Sequence, residues 1–200
     1  AVEKKRLYNI ASLFHRDGRI DKQYKTHVTP SEARWWGITA GRDIEIFETD
    51  RGKIAIAICY DVEFPEFVRI VKARGADVLF VPYNTDIRSG HIRVRSCSLA
   101  RAIENHMYVV MAGAVGNLPQ VEGADIHYGQ ASILTPSDIQ FARDGIASEG
   151  TPNAETMIVH DLDLGLLRRT EGTGTVRTWP DRRKDLYAVI QKSGRKSERF

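Results

Sequence analysis

One apolar run limits the folds open to this chain more than any other feature. It is Lys53-Ile54-Ala55-Ile56-Ala57-Ile58-Cys59, and it reads as a buried strand. Pro65 and Glu66 follow closely and read as a helix start. Proline suits the first helical turn, and an acid suits the positive end of the helix dipole. A second run, residues 78–81, is again wholly apolar, as for a strand buried on both faces. A helix joining two such strands implies an α/β fold, with a mixed, internally buried sheet and helices outside.

The other elements fit that plan. Residues 7–14 and 19–24 read as strands joined through Asp17-Gly18, a hairpin signal. Residues 25–42 read as irregular. A second hairpin is expected from 44–49 and 53–59 across Asp50-Arg51-Gly52. Helices are predicted over 65–74, ending at Gly75, and over 91–106, where Ile92, Cys97, Ala100, Ile103 and Met107 recur near helical spacing. Strands are expected at 108–115, 131–134 and 156–159, and a short helix at 161–169.

Length and charge narrow the class. Two hundred residues suit one domain, or two small ones. The longest apolar run is far too short to span a bilayer, and the polar opening lacks the apolar core of a secretory leader. Two cysteines, Cys59 and Cys97, do not make a disulfide framework, so a cytoplasmic protein is expected. Residues 182–200 carry seven Lys or Arg against two acids, while the whole chain has a net charge of +3. Without interleaved aromatics this segment reads as a solvated, flexible basic tail over 188–200, not a nucleic-acid site.

Cys59 sits where the strand gives way to the helix, and backbone N–H groups at such a turn can bind an oxyanion. That placement suits a nucleophile. Free cysteine is also among the most buried residue types, and spacing alone leaves a buried strand cysteine open. A thiol needs a base or nearby cation to become a good nucleophile. Lys25, at the end of the second strand, and Glu32, seven residues on, are of the right types. Taken singly, each reads equally as a surface lysine and a loop acid. The six histidines show no zinc-ligand spacing, and no phosphate-loop or dinucleotide glycine pattern is present.

Taken together, these segments resemble a known family. Tyr24-Lys25-Thr26-His27-Val28 followed by Cys59-Tyr60-Asp61-Val62-Glu63-Phe64-Pro65-Glu66 resembles the carbon–nitrogen hydrolase (nitrilase) superfamily. Gly75-Ala76-Asp77-Val78-Leu79 and Ala100-Arg101-Ala102-Ile103-Glu104-Asn105 also fit, and the likeness runs from about residue 7 to 187. The stretch 28–37, with Trp35 and Trp36, looks like a branch whose members often carry an acetyltransferase-like domain ahead of the hydrolase.

The resemblance implies an αββα sandwich, N-terminally incomplete here, with a hydrolase domain over 1–187. It implies a Glu–Lys–Cys triad in which Cys59 forms a thioester and Lys25 stabilises the oxyanion, helped by the N–H of Tyr60. Glu32 matches the family's second glutamate, and the base glutamate is expected upstream of residue 1. Glu63 and Asn84 are expected at the substrate pocket. The Cys-Tyr-Asp form is more typical of amidases and carbamoylases than of true nitrilases, so a small amide or carbamoyl substrate is expected ahead of a nitrile-like one, with no cofactor or metal. A homodimer or higher oligomer is implied, and no nucleic acid or membrane partner. Alternatives are a non-catalytic scaffold keeping the fold, or an acyltransferase working through the same thioester.

Overall fold

The structure is a computed structural model, and it describes residues 1–3, 5–193 and 196–200. Two short antiparallel pairs come first. β1 (Val2–Glu3) pairs with β2 (Arg6–Leu7), and β3 (Ile10–Phe14) with β4 (Ile20–Tyr24). Then follow α1 (Pro30–Trp36), β5 (Phe47–Glu48) and β6 (Lys53–Ile56), and a 3₁₀ turn over Cys59–Glu63. Next are α2 (Pro65–Ala73), β7 (Val78–Tyr83), α3 (Arg88–Asn105) and β8 (Tyr108–Gly113). β9 (Gly116–Asn117) and β10 (Ile126–His127) form a small arm, and β11 (Ser132–Leu134) and β12 (Ile146–Glu149) return to the main sheet. α4 (Leu164–Thr170) follows, and β13 (Ile190–Ser193) pairs with β14 (Lys196–Arg199).

The main sheet has six strands in the order β12-β11-β8-β7-β6-β5. Its centre, β6-β7-β8, is parallel, and both flanks are antiparallel. On one face, Ala55, Leu79, Val81, Val109, Met111 and Leu134 pack against Phe67, Val68 and Val71 of α2 and Val94 and Ala102 of α3. Each large side chain fully buried there contributes about 1.5–3 kcal/mol. The opposite face is covered in two patches. Ile56, Ile58 and Phe47 meet Ala11 and Leu13 of β3, while Val78 and Tyr108 meet Leu167 of α4. The fold class is α/β, with a mixed sheet and helices outside it.

The structure corrects several local expectations. Residues 25–42 are not wholly irregular, because α1 forms on its caps. Thr29 Oγ1 accepts from the Glu32 N–H, Glu32 Oε2 accepts from the Thr29 N–H, Pro30 opens the helix, and Gly37 closes it in the left-handed conformation. Only Glu32 is buried in this helix, so it has no apolar stripe to announce it. The first strand of the second hairpin, expected over 44–49, shrinks to Phe47–Glu48, since the buried Gln23 side chain takes the Asp43 carbonyl and the Glu45 N–H instead. The next strand stops at Ile56 rather than reaching Cys59.

Residues 156–159 form no strand, and Met157 and Val159 are exposed. The place beside β11 is taken by β12, earlier in the chain. Burial on both faces holds for Val78, Leu79 and Val81 but not for Phe80, which is 37% exposed and falls in neither covered patch. The segment read as a basic tail includes the β13–β14 hairpin, where Glu198 pairs with Arg74 at 2.8 Å. No helix among the described residues is long and apolar enough to cross a membrane.

Candidate active site

Cys59 has a left-handed backbone, with φ at +50°, on the first residue of the 3₁₀ turn. A non-glycine residue there carries strain of about 1–2 kcal/mol. The turn lifts the side chain out of the line of β6, toward β7, where Sγ lies 3.5 Å from the Asn84 carbonyl oxygen. The Tyr60 N–H follows at the start of the turn, where the first N–H groups have no partner within the helix itself. The turn's far end is held from α3: buried Arg101 donates to the carbonyls of Val62 (3.0 Å) and Glu63 (3.1 Å).

Lys25 follows the last residue of β4 and is 2% exposed. Its N–H donates to the Asn9 carbonyl, and its own carbonyl accepts from Gly41. Gly41 is needed there, since a Cβ would come within 2.6 Å of the Tyr24 Cβ. Lys25 Nζ donates to Glu32 Oε2 at 2.6 Å. The same oxygen accepts from Thr29 N–H and Oγ1, and Glu32 Oε1 accepts from Asn9 Nδ2 at 3.0 Å. Burial opposes ionisation of Glu32, but the bonds from Lys25, Thr29 and Asn9 outweigh it and hold its pKa below the usual value.

Cys59, Lys25, Glu32, Tyr60, Glu63 and Asn84 all line one cleft of about 850 Å³. Trp35 and Trp36 of α1 and the arm residues Gly123 and Ile126 form its outer wall. Glu63 is paired with Arg93 at 3.4 Å. The Asn84 side chain bonds to His127 Nδ1 at 2.7 Å, joining the end of β7 to the arm. Burial pushes the Cys59 thiol above the usual cysteine range; Lys25 opposes this, while Glu32 and Glu63 add to it. The thiol is therefore mostly protonated at neutral pH.

Four residues near the cleft segments take structural places. Glu66 is exposed in the first turn of α2, away from the cleft. Glu104 and Asn105 bond around Arg101 and tie α3 to its surroundings. Cys97 packs against the helix-side core, and burial pushes its thiol up as well.

Three further residues were not singled out from the sequence. Asn9 bridges Lys25 and Glu32. Arg101, quoted only within the segment 100–105, is buried. Asp61 is fully buried and accepts from the backbone on both sides of the cleft. Its signal was an acid two residues after the cysteine, at a strand end. Among the described residues, no group of three or more His, Cys, Asp or Glu side chains is arranged to hold a metal.

The mixed sheet with its helices fits the nitrilase-type class of folds. The chain belongs to the carbon-nitrogen hydrolase family, whose model matches residues 1–171. It is 55% identical over 190 residues to the probable hydrolase YhcX of Bacillus subtilis, covering 95% of this chain and 37% of that protein. It is 32% identical over 183 residues to the 2-oxoglutaramate amidase of the same organism, covering 90% of this chain and 65% of that one. The Saccharomyces cerevisiae protein Nit3, of branch 10 of the nitrilase superfamily, superposes with a TM-score of 0.69 at 25% identity, over 82% of this chain and 56% of that one. The chain thus spans between about a third and two thirds of the curated relatives named here.

Proposed function

We propose that this chain carries the catalytic cleft of a thiol-dependent hydrolase acting on small amides or carbamoyl compounds. The observation that carries the reading is the cleft itself, where the strained Cys59 faces the buried Lys25–Glu32 pair. Cys59 Sγ attacks the carbonyl carbon and forms an S–C bond. Its proton passes to a glutamate that the family resemblance places ahead of residue 1, and from there to the leaving nitrogen. Lys25 Nζ and the Tyr60 N–H hold the oxyanion, and Glu32 keeps the lysine in place. The C–N bond breaks, ammonia or an amine departs, and a thioester remains. Water then attacks that thioester, releasing the acid and restoring the thiol.

The amide preference is supported by the Cys-Tyr-Asp sequence and by the name of the related 2-oxoglutaramate amidase. Glu63 with Arg93, and Asn84, contact the part of the substrate beyond the carbonyl. The two thiols are unpaired, which suits a reducing compartment such as the cytoplasm. We also take the protein to be a homo-oligomer, as the resemblance implies. The test is ammonia release from a panel of primary amides by the intact protein, with acid-quenched samples weighed by mass spectrometry. An acyl adduct on the Cys59 peptide, and no turnover by Cys59→Ala, is the expected result. Undiminished hydrolysis by Cys59→Ala would refute the reading.

A further inference from the structure

We propose that Asp61 is a positioning residue: its carboxylate ties the Lys25 segment to the Cys59 turn and sets how closely the lysine meets the thiol. Asp61 is completely buried. Its Oδ1 accepts from the His27 N–H (2.7 Å), Thr26 Oγ1 (2.7 Å) and the Thr26 N–H (3.2 Å), and His27 Nδ1 lies 2.8 Å away. Its Oδ2 accepts from the Ile58 N–H at 3.2 Å. Thr26 and His27 directly follow Lys25, and Ile58 directly precedes Cys59. One carboxylate therefore grips the neighbours of both reacting groups across more than thirty residues of chain.

Few other links do this. Among the described residues, no hydrogen bond joins residues 25–28 to 56–60 except through Asp61. The other close link is His27 stacked on Phe64, with ring centres 3.8 Å apart. Glu32 holds the lysine ammonium and is itself held by Asn9 and Thr29, none of which bonds to the Cys59 turn. The left-handed turn at Cys59 also needs outside support, because its backbone is strained. The Ile58–Asp61 bond supplies it one residue away. The inference rests on the proposed thiol chemistry, but its test reads the thiol directly.

The groups facing Cys59 are Lys25, Glu32 and Glu63, and the titratable group against Asp61 is His27. Asp61→Asn keeps the shape but sets an NH₂ against one of the N–H donors, which lets the Lys25 segment drift. With Lys25 farther off, the thiolate of Cys59 loses its nearest cation. The experiment is iodoacetamide labelling across pH, resolved by peptide mass spectrometry, with Cys97 as internal reference. Asp61→Asn is expected to move the Cys59 profile up by about one pH unit, slowing its labelling about tenfold near neutral pH while Cys97 is unchanged.

Thr26→Val removes one donor and is expected to slow Cys59 about threefold, whereas Thr26→Ser keeps the wild-type profile. A folded Asp61→Asn with an unmoved Cys59 profile would overturn the proposal. If that variant does not fold, Thr26→Val decides: slowing of Cys59 alone supports it, and a wild-type rate overturns it. Hydrolysis that survives Cys59→Ala sinks the hydrolase reading instead, and leaves the labelling result to judge Asp61 on its own.

Discussion

Glu32→Gln tests whether the lysine–glutamate pair is as tightly coupled as its geometry implies. Lys25 is 2% exposed and its ammonium is 2.6 Å from Glu32 Oε2. Removing one member of a buried ion pair leaves an uncompensated charge and costs about 3–5 kcal/mol. Glutamine keeps an oxygen that can take the bonds from Lys25 and Thr29, and a hydrogen bond to a charged group is worth about 1.5–3 kcal/mol. The net loss is therefore about 2 kcal/mol. With a urea slope of about 2 kcal/mol/M, that lowers the unfolding midpoint by about 1 M.

The pH dependence follows from the sign of the shift. The folded-state pKa of Glu32 lies below its ordinary value of 4.5, so its stabilisation is fully present above that value. It is lost as pH falls through the lower, folded-state pKa. The gap between wild type and Glu32→Gln should be constant at neutral pH and close in acid. Urea titrations followed by circular dichroism, at neutral pH and at about pH 3, read both numbers. A gap below about 0.5 kcal/mol at neutral pH, or one that persists unchanged in acid, would refute the reasoning.

Two other substitutions follow from the geometry. Cys59→Gly and Cys59→Ala should both lack turnover, yet the glycine variant should be more stable by about 1 kcal/mol, because glycine adopts the left-handed turn without strain. Equal melting temperatures would argue against strain at that residue. Asn84→Ala removes the bond to His127 and loosens the arm, leaving the bonds of Thr85 with Tyr128 as its link to the end of β7. It should raise KM more than it lowers kcat, cost about 1 kcal/mol of stability, and speed proteolysis between residues 118 and 125; an unchanged digestion pattern would show that the arm is held elsewhere.

Where the sequence is read locally, it carries far. The apolar runs at 54–58 and 78–81 and the proline at 65 announce a strand, a helix and a parallel neighbour, because each signal acts within a few residues. The motifs around Lys25 and Cys59 announce the family for the same reason. α1 escaped this reading, since it rests on caps at Thr29 and Gly37 and buries one glutamate rather than an apolar face. The strand expected at 156–159 failed for the opposite reason. Its residues have β-propensity, but a strand needs a sheet edge, and β12 already holds the one beside β11.

By itself, then, the sequence determined the α/β class, the order of its central elements and the residue types of the candidate site. Only the tertiary structure decided how those residues meet. Asp61 grips residues some thirty-five positions away, Asn9 joins the lysine to its glutamate, and Arg101 turns inward to hold the Cys59 turn. Such bonds depend on which backbone groups the fold leaves unpaired in its interior, and burial makes each of them obligatory. No local pattern of side chains records that demand, because it arises only when distant segments have closed together and excluded water.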